Sequence, residues 1–225
     1  MCALTVVGKT LMASLINVAP PRLPNAPGQY EQRFHDQHSD VLRLYFNQLG
    51  GNLNSLTGVN GGSYIQAPHA MLMSTQDQAN AGITSENIVT YNTPVIEQAI
   101  EVRNGSEIWF EKPGQYLITF SLQFTNRGNA AQEIEVWAKQ DGTNFPLSNT
   151  RFDIAARKST SVWSHAVAAV SGIFTVTDPD VTYLRIAWWS DGADVFLEYY
   201  PEGTNPTRPA IPSVILTANF ISRLP

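Results

Sequence analysis

Between Gln115 and Thr125 apolar and polar residues alternate, with Tyr116, Ile118, Phe120, Leu122 and Phe124 on one face and Gln115, Thr119, Ser121 and Gln123 on the other. A period of two identifies a half-buried strand. A second alternating run ends at Lys112, and Pro113-Gly114 joins the two. Proline pre-sets φ and glycine tolerates positive φ, so the stretch Glu107 to Thr125 predicts a β-hairpin or a sheet corner. Similar runs predict strands near 87–91, 95–102, 107–112, 115–125, 132–139, 151–156, 160–168, 172–177, 181–190, 194–200 and 213–222. Asn104-Gly105, Asp141-Gly142 and Asp191-Gly192 fall between such runs, where hairpin turns demand these residues. Short strands with short connections predict a sandwich, and the proline-rich stretch Pro201 to Pro212 predicts an exposed loop too stiff to pair.

Upstream the period changes. Ala19 to Gly28 carries Pro20, Pro21, Pro24 and Pro27, which exclude helix and inner strand and predict an extended linker. From Gln29 the period is helical: at about 100° per residue, Tyr30, Phe34, His38, Val41, Leu42, Tyr45, Phe46 and Leu49 form one broad apolar stripe. Arg33, Asp36, Asp40, Arg43 and Asn47 lie opposite. The spacing predicts a helix over 29–49, ended or frayed by Gly50-Gly51, although Leu53 and Leu56 return on the same stripe. Thr57 to Ala81 is rich in Gly, Ser, Asn and Gln around Met71-Leu72-Met73 and predicts a loop laid over a neighbour. Three regions follow: an arm and linker over 1–28, a helix and loop attachment module over 29–86, and a β-sandwich over 87–225.

Composition narrows the function. At 225 residues the chain suits one all-β domain with an appendage. A net charge of -5 with few Lys and Arg leaves no basic stripe, which disfavours nucleic acid as a partner. The lone Cys2 excludes an internal disulfide and a cysteine-based zinc site. Charged residues make up only 15%, a balance suited to a subunit whose surface is buried in an assembly. The apolar run Thr10 to Ala19 is broken by Ser14 and Asn17 and lacks a clean cleavage site, so a retained segment is expected. No run reaches the length of a membrane span, so no membrane insertion is expected.

Candidate chemistry is sparse. His35 and His38 sit about 60° apart around the helix axis without a third ligand nearby, so no metal is expected there. His165 beside Trp163 reads as a strand-surface or interface residue. Asp178, Asp180, Asp191 and Asp194 read as turn-forming residues. Neither a Ser-His-Asp order, a phosphate loop nor a placed carboxylate pair can be defended, so no catalytic residue and no cofactor is expected. On the strand 181–190, Leu184, Ile186 and Trp188 point inward and Tyr183, Arg185 and Trp189 outward. Together with Tyr199 they form a candidate subunit interface or carbohydrate platform, since both use flat aromatic surface. The stripe Tyr30, Phe34, His38, Val41, Tyr45 and Leu49 is the candidate attachment or assembly interface.

Two resemblances bear on these residues. Ile108-Trp109-Phe110, Pro113-Gly114-Gln115-Tyr116 and Phe120-Ser121 resemble the signature of C1q and tumour-necrosis-factor-like jelly rolls, over about the last 140 residues. Trp137 to Gly142 resembles that family's hairpin, and Val214 to Ser222 its closing strand. Asp178-Pro179-Asp180 departs from the family's Gly-Asp. The resemblance implies an all-β jelly-roll sandwich that assembles as a homotrimer through an aromatic-lined sheet, and related domains sometimes hold calcium near such turns. The segment PRLPNAPGQYEQRFHDQHSDVLRLYFNQL resembles one at the start of many structural proteins of tailed phages. It implies a virion protein assembled in the bacterial cytoplasm: capsid decoration, cement or head fibre, or a tail fibre or adaptor binding a host-surface glycan, with phage capsid or tail proteins as partners. A secreted recognition module fits the first resemblance but not the second.

Overall fold

The computed structural model describes residues 18–25, 28–57 and 67–224. The chain divides into two compact units, Met1–Gln66 and Ala67–Pro225.

In the first unit, residues 18–25 hold neither helix nor strand, in keeping with their prolines. Helix α1 spans Gln32–Thr57. Tyr30 therefore precedes the helix, its ring stacked on His35 at 4.9 Å. The expected end at Leu49 is corrected: the helix continues through Gly50-Gly51 for another two turns. Each glycine costs about 1 kcal/mol against alanine, but at helical spacing both lie off the stripe, on which Leu49, Leu53 and Leu56 continue in phase. The Ser55 hydroxyl donates to the Gly51 carbonyl at 2.9 Å, occupying an acceptor within this weak turn.

The second unit is built of antiparallel strands: β1 His69–Ser74, β2 Asn87–Ile88, β3 Thr93–Gln98, β4 Ile100–Arg103, β5 Glu107–Phe110, β6 Gly114–Asn126, β7 Gln132–Gln140, β8 Thr143–Asn144, β9 Thr150–Ile154, β10 Ser164–Val176, β11 Tyr183–Ser190, β12 Val195–Leu197, β13 Gly203–Thr204, β14 Thr207–Arg208 and β15 Val214–Ser222. Among the described residues, one sheet runs in the order β10-β6-β15-β1-β3, with β12 also on β6. A second runs β4-β5-β11-β7-β8, with β2 on β11 and β9 on β7. The inward faces of both supply one core. Across it Phe124 meets Trp188 edge-on at 5.3 Å, and Phe110 meets Tyr116 at 4.6 Å. The alternation is realised as expected: Tyr116, Ile118, Phe120, Leu122 and Phe124 are all buried, as are Leu184, Ile186 and Trp188.

Several connections differ from the expectation. The loop expected over 57–81 contains β1, which lies inside the first sheet between β15 and β3 with Leu72 fully buried. Its six residues carry methionines on the outward side, so the alternation that marks other strands is blurred. The stretch 95–102 is two strands in different sheets, divided where Ala99 takes φ 56°. The strands expected at 160–168 and 172–177 are one, β10, because Gly172 pairs opposite Ile118 without interruption. Asp191-Gly192 is a corner rather than a hairpin turn, since β11 and β12 belong to different sheets. Within Pro201 to Pro212 the chain pairs with itself as β13 and β14. Asn104-Gly105 and Asp141-Gly142 adopt positive φ at both residues, as hairpin turns require.

Pro113-Gly114 is likewise a corner, carrying the chain from β5 in the second sheet to β6 in the first. Gly114 has φ 153°, and a Cβ there would lie 2.4 Å from the Phe220 ring and 2.7 Å from the Ser222 carbonyl oxygen. The Tyr116 hydroxyl donates to the Lys112 carbonyl across the corner at 2.7 Å. Gly114→Ala should therefore destabilise the β unit by about 2–4 kcal/mol through overpacking and backbone strain, lowering its melting temperature by roughly 5–15 °C. Thermal circular dichroism checks this; an unchanged midpoint would show that the corner is not tightly constrained.

Candidate functional site

The register of the first sheet places its outward residues in rows. Met71, Thr217, Thr119 and Ser171 stand opposite one another across four strands. The next row is Met73, Ile215, Ser121 and Ala169, and another is His69, Asn219, Leu117 and Ile173. None of these is Asp, Glu, Lys or Arg. Leu117, Val167 and Ile173 are substantially exposed. Small hydroxyl, methyl and thioether groups dominate the whole face, and hydroxyls that meet do so within it, as Thr119 and Ser171 at 3.1 Å.

The outward face of the second sheet is the opposite in character. Across β7 and β9, Glu135 accepts from Arg151 at 2.5 Å and from Asn149 at 2.6 Å. Lys139, largely buried, donates to both oxygens of Glu86 at 2.6 and 2.7 Å. Near β5 the Glu107 carboxylate accepts from Asn104 at 2.9 Å, from the Trp109 indole at 3.1 Å, and from Arg185. Trp109 stacks on Tyr183 at 5.1 Å, with the Arg103 guanidinium 4.6 Å from the Trp109 ring and that of Arg185 5.1 Å from Tyr183. This face pairs most of its charges with its own neighbours, although the buried Arg185 Nε has no hydrogen-bond partner among the described residues.

Of the four aromatic-face candidates, Tyr183, Arg185 and Trp189 do share an outward face. The ring of Tyr183 is engaged by Trp109 and Arg185, and the Trp189 indole donates to the Ile83 carbonyl at 2.6 Å. Tyr199 is not with them. It follows β12, which pairs on the other sheet, and its amide donates to Asp77 at 2.8 Å. The corner at Asp191-Gly192 is what separates Tyr199 from Trp189. On α1, Phe34, His38, Val41, Tyr45 and Leu49 form one half-buried line, while Tyr30 is exposed before the helix. Asp178 accepts from the Asp180 amide at 3.0 Å, the turn-forming role expected of it.

One polar cluster had no signal in the sequence, because its members lie far apart along the chain. Glu198, almost fully buried, accepts from Thr125 at 2.5 Å, Tyr200 at 2.6 Å and Arg127 at 3.2 Å. His165 Nδ1 lies 2.9 Å from the Thr125 oxygen. The single Thr125 proton goes to the carboxylate, so His165 donates to the hydroxyl rather than accepting from it. That polarity is the reverse of a base-activated nucleophile. Arg127 is clamped 3.9 Å from both the Trp163 and Phe196 rings. Burial, and then the bond to Glu198, push the Tyr200 phenol up to about 12. The cluster locks the ends of β6, β10 and β12 together.

The sandwich also has an apolar cleft of about 350 Å3 at its open edge, between β10 and the segment before β9. Ile118, Phe120, Leu184 and Ile186 form its floor, and no titratable side chain lines it. Leu147, at φ 60°, stands fully exposed on its rim. The cleft can accept apolar groups and carries no titratable acid or base. Among the described residues, no helix is long and apolar enough to cross a membrane. Compared with known proteins, the chain matches no family model and no curated protein sequence.

Hydrogen bonds from Trp109 above all, then from Asn104 and Arg185, hold the Glu107 carboxyl below its ordinary value of 4.5 against the opposing effect of burial. A depressed folded-state pKa contributes stability that is complete above the ordinary value and is lost as pH falls through the lowered one. Wild type should therefore exceed Glu107→Gln in melting temperature at pH 7, and the two should converge as pH falls below 4.5. Paired melts from pH 7 to 3 test this; parallel curves would mean that Glu107 does not couple to folding.

Proposed function

We propose that this chain is a non-enzymatic structural protein of a tailed-phage virion, a homotrimer whose β unit is a jelly roll and whose N-terminal region anchors it to the capsid or tail. It serves as capsid decoration, cement or head fibre. The observation that carries the proposal is the contrast between the two outward faces. A sheet face without a formal charge over four adjacent strands gains little from water and is suited to burial against copies of itself. The other face, with its charges paired locally, is suited to solvent.

The strand orders β10-β6-β15-β1-β3 and β4-β5-β11-β7-β9 support the jelly-roll reading. The proposed interface is the uncharged face of the first sheet, rather than the aromatic face around Tyr183. The phage assignment rests on the resemblance of the segment Pro21 to Leu49, and the separate unit containing that segment supports an anchoring role. A second reading, a tail fibre or adaptor with a host-glycan site, is favoured by Trp137 and Trp189, half-buried and outward on the solvent-suited face.

Light scattering should give a mass near three times 24.8 kDa. Thr217→Glu or Ala169→Glu should reduce it to the monomer mass with the β-rich circular dichroism retained, because an interfacial carboxylate without a partner costs several kcal/mol. Asp153→Lys on the other face should leave the mass unchanged. Removing residues 1–66 should leave a folded β unit that no longer joins particles. A monomeric wild type at high micromolar concentration would sink the trimer, and normal particle incorporation without residues 1–66 would sink the anchor.

A further inference from the structure

Helix α1 carries a heptad pattern that the broad stripe conceals. His35, Leu42, Leu49 and Leu56 recur every seventh residue, and His38, Tyr45 and Asn52 recur every seventh residue three positions later. These are the a and d positions of a coiled coil, alternating in steps of three and four across most of the helix. Of the flanking positions, Phe34 and Val41 at g and Phe46 and Leu53 at e are apolar, while Ser39 at e and Gln48 and Ser55 at g are polar but uncharged. Every charged residue of the helix, Arg33, Asp36, Asp40 and Arg43, falls at b or f. Arg43 and Asp40 pair with each other there at 2.6 Å. Gly50 and Gly51 fall at b and c, outside the seam.

We infer that α1 packs against the α1 helices of other copies of this chain, as a parallel three-helix bundle. This rests on the trimer reading above, and names what the stripe binds. Two arguments select a second and third copy over the surface of another body. A sustained period of 3.5 matches a supercoiled helix partner, whereas a helix lying on a globular surface drifts at 3.6. No charge occupies a, d, e or g, so identical copies meet without like-charge repulsion.

The apolar residues at e select three helices over two, because a two-stranded seam would leave Phe46 and Leu53 in water. They are 60% and 52% exposed on the single helix. Leu44, at c, lies outside the bundle face. The bundle also accounts for the helix crossing Gly50-Gly51, since Leu49, Asn52, Leu53 and Leu56 on the seam hold the turn from one side.

The test uses the full chain with Cys2→Ser, carrying Leu49→Cys or Leu42→Cys at a, or Asn47→Cys at f, under mild oxidation at one protein concentration. The a-position variants should form covalent dimers, read on a non-reducing gel, at least tenfold more than Asn47→Cys. Light scattering of the Cys2→Ser chain gives the mass in parallel. A trimeric mass with no preference for the a positions overturns the bundle and leaves the trimer reading standing. A monomeric mass without cross-links overturns both. A monomeric mass with a-specific cross-links supports helix association and overturns the three-copy reading.

Discussion

β6 hydrogen-bonds to β10 along all thirteen of its residues, and on its other edge to β15 and then β12. The same strand turns Tyr116, Ile118, Phe120, Leu122 and Phe124 into the core, where they meet Phe110 and Trp188 of the opposite sheet. Two constraints fix where it begins and ends. At its start, Gly114 passes so close to Phe220 and the Ser222 carbonyl that a side chain has no room. At its end, Thr125 joins the buried Glu198, and Asn126 donates to the carbonyls of Ala130 and Ala155. With both ends fixed, a one-residue slip would expose five large apolar side chains, so the register of the first sheet has no near competitor.

That register is also what makes a surface. Thr119, Ser121 and Leu117 are unremarkable outward residues on β6 alone, and so are Thr217 and Ile215 on β15. Set side by side they become a continuous area without formal charge. The second sheet contrasts with it through ion pairs such as Arg151 with Glu135 and Lys139 with Glu86, each made between different strands or segments. Exposed pairs of this kind add little stability, but they supply that face with charge the first sheet's face lacks. The division between a face for copies and a face for solvent underlies the functional proposal, and it needs no catalytic group.

The first unit works by different physics. Its helix has two adjacent glycines, a feature that an isolated helix in water tolerates poorly. In the inferred bundle, packing of the seam would compensate for this weak intrinsic propensity, and Gly50 and Gly51 lie away from it.

Periodicity and turn-residue chemistry determined much of this protein: the inward residues of β6 and β11, the helical stripe, the Asn104-Gly105 and Asp141-Gly142 turns, and a turn or corner at Pro113-Gly114. These are local consequences of one side of an element facing water and the other not. Tertiary structure decided the remainder. Alternation does not say which sheet a strand joins, so the split at Ala99, the corner at Asp191-Gly192 and the position of Tyr199 were not legible. β1 was hidden because methionines on its outward side reduce the contrast that periodicity detects. The Glu198 cluster joins Thr125 and Glu198 from 73 residues apart, and only a closed fold brings them within hydrogen-bond reach. The uncharged face is likewise a property of four strands in register, because each contributes only alternate residues and none alone is long enough to form a surface.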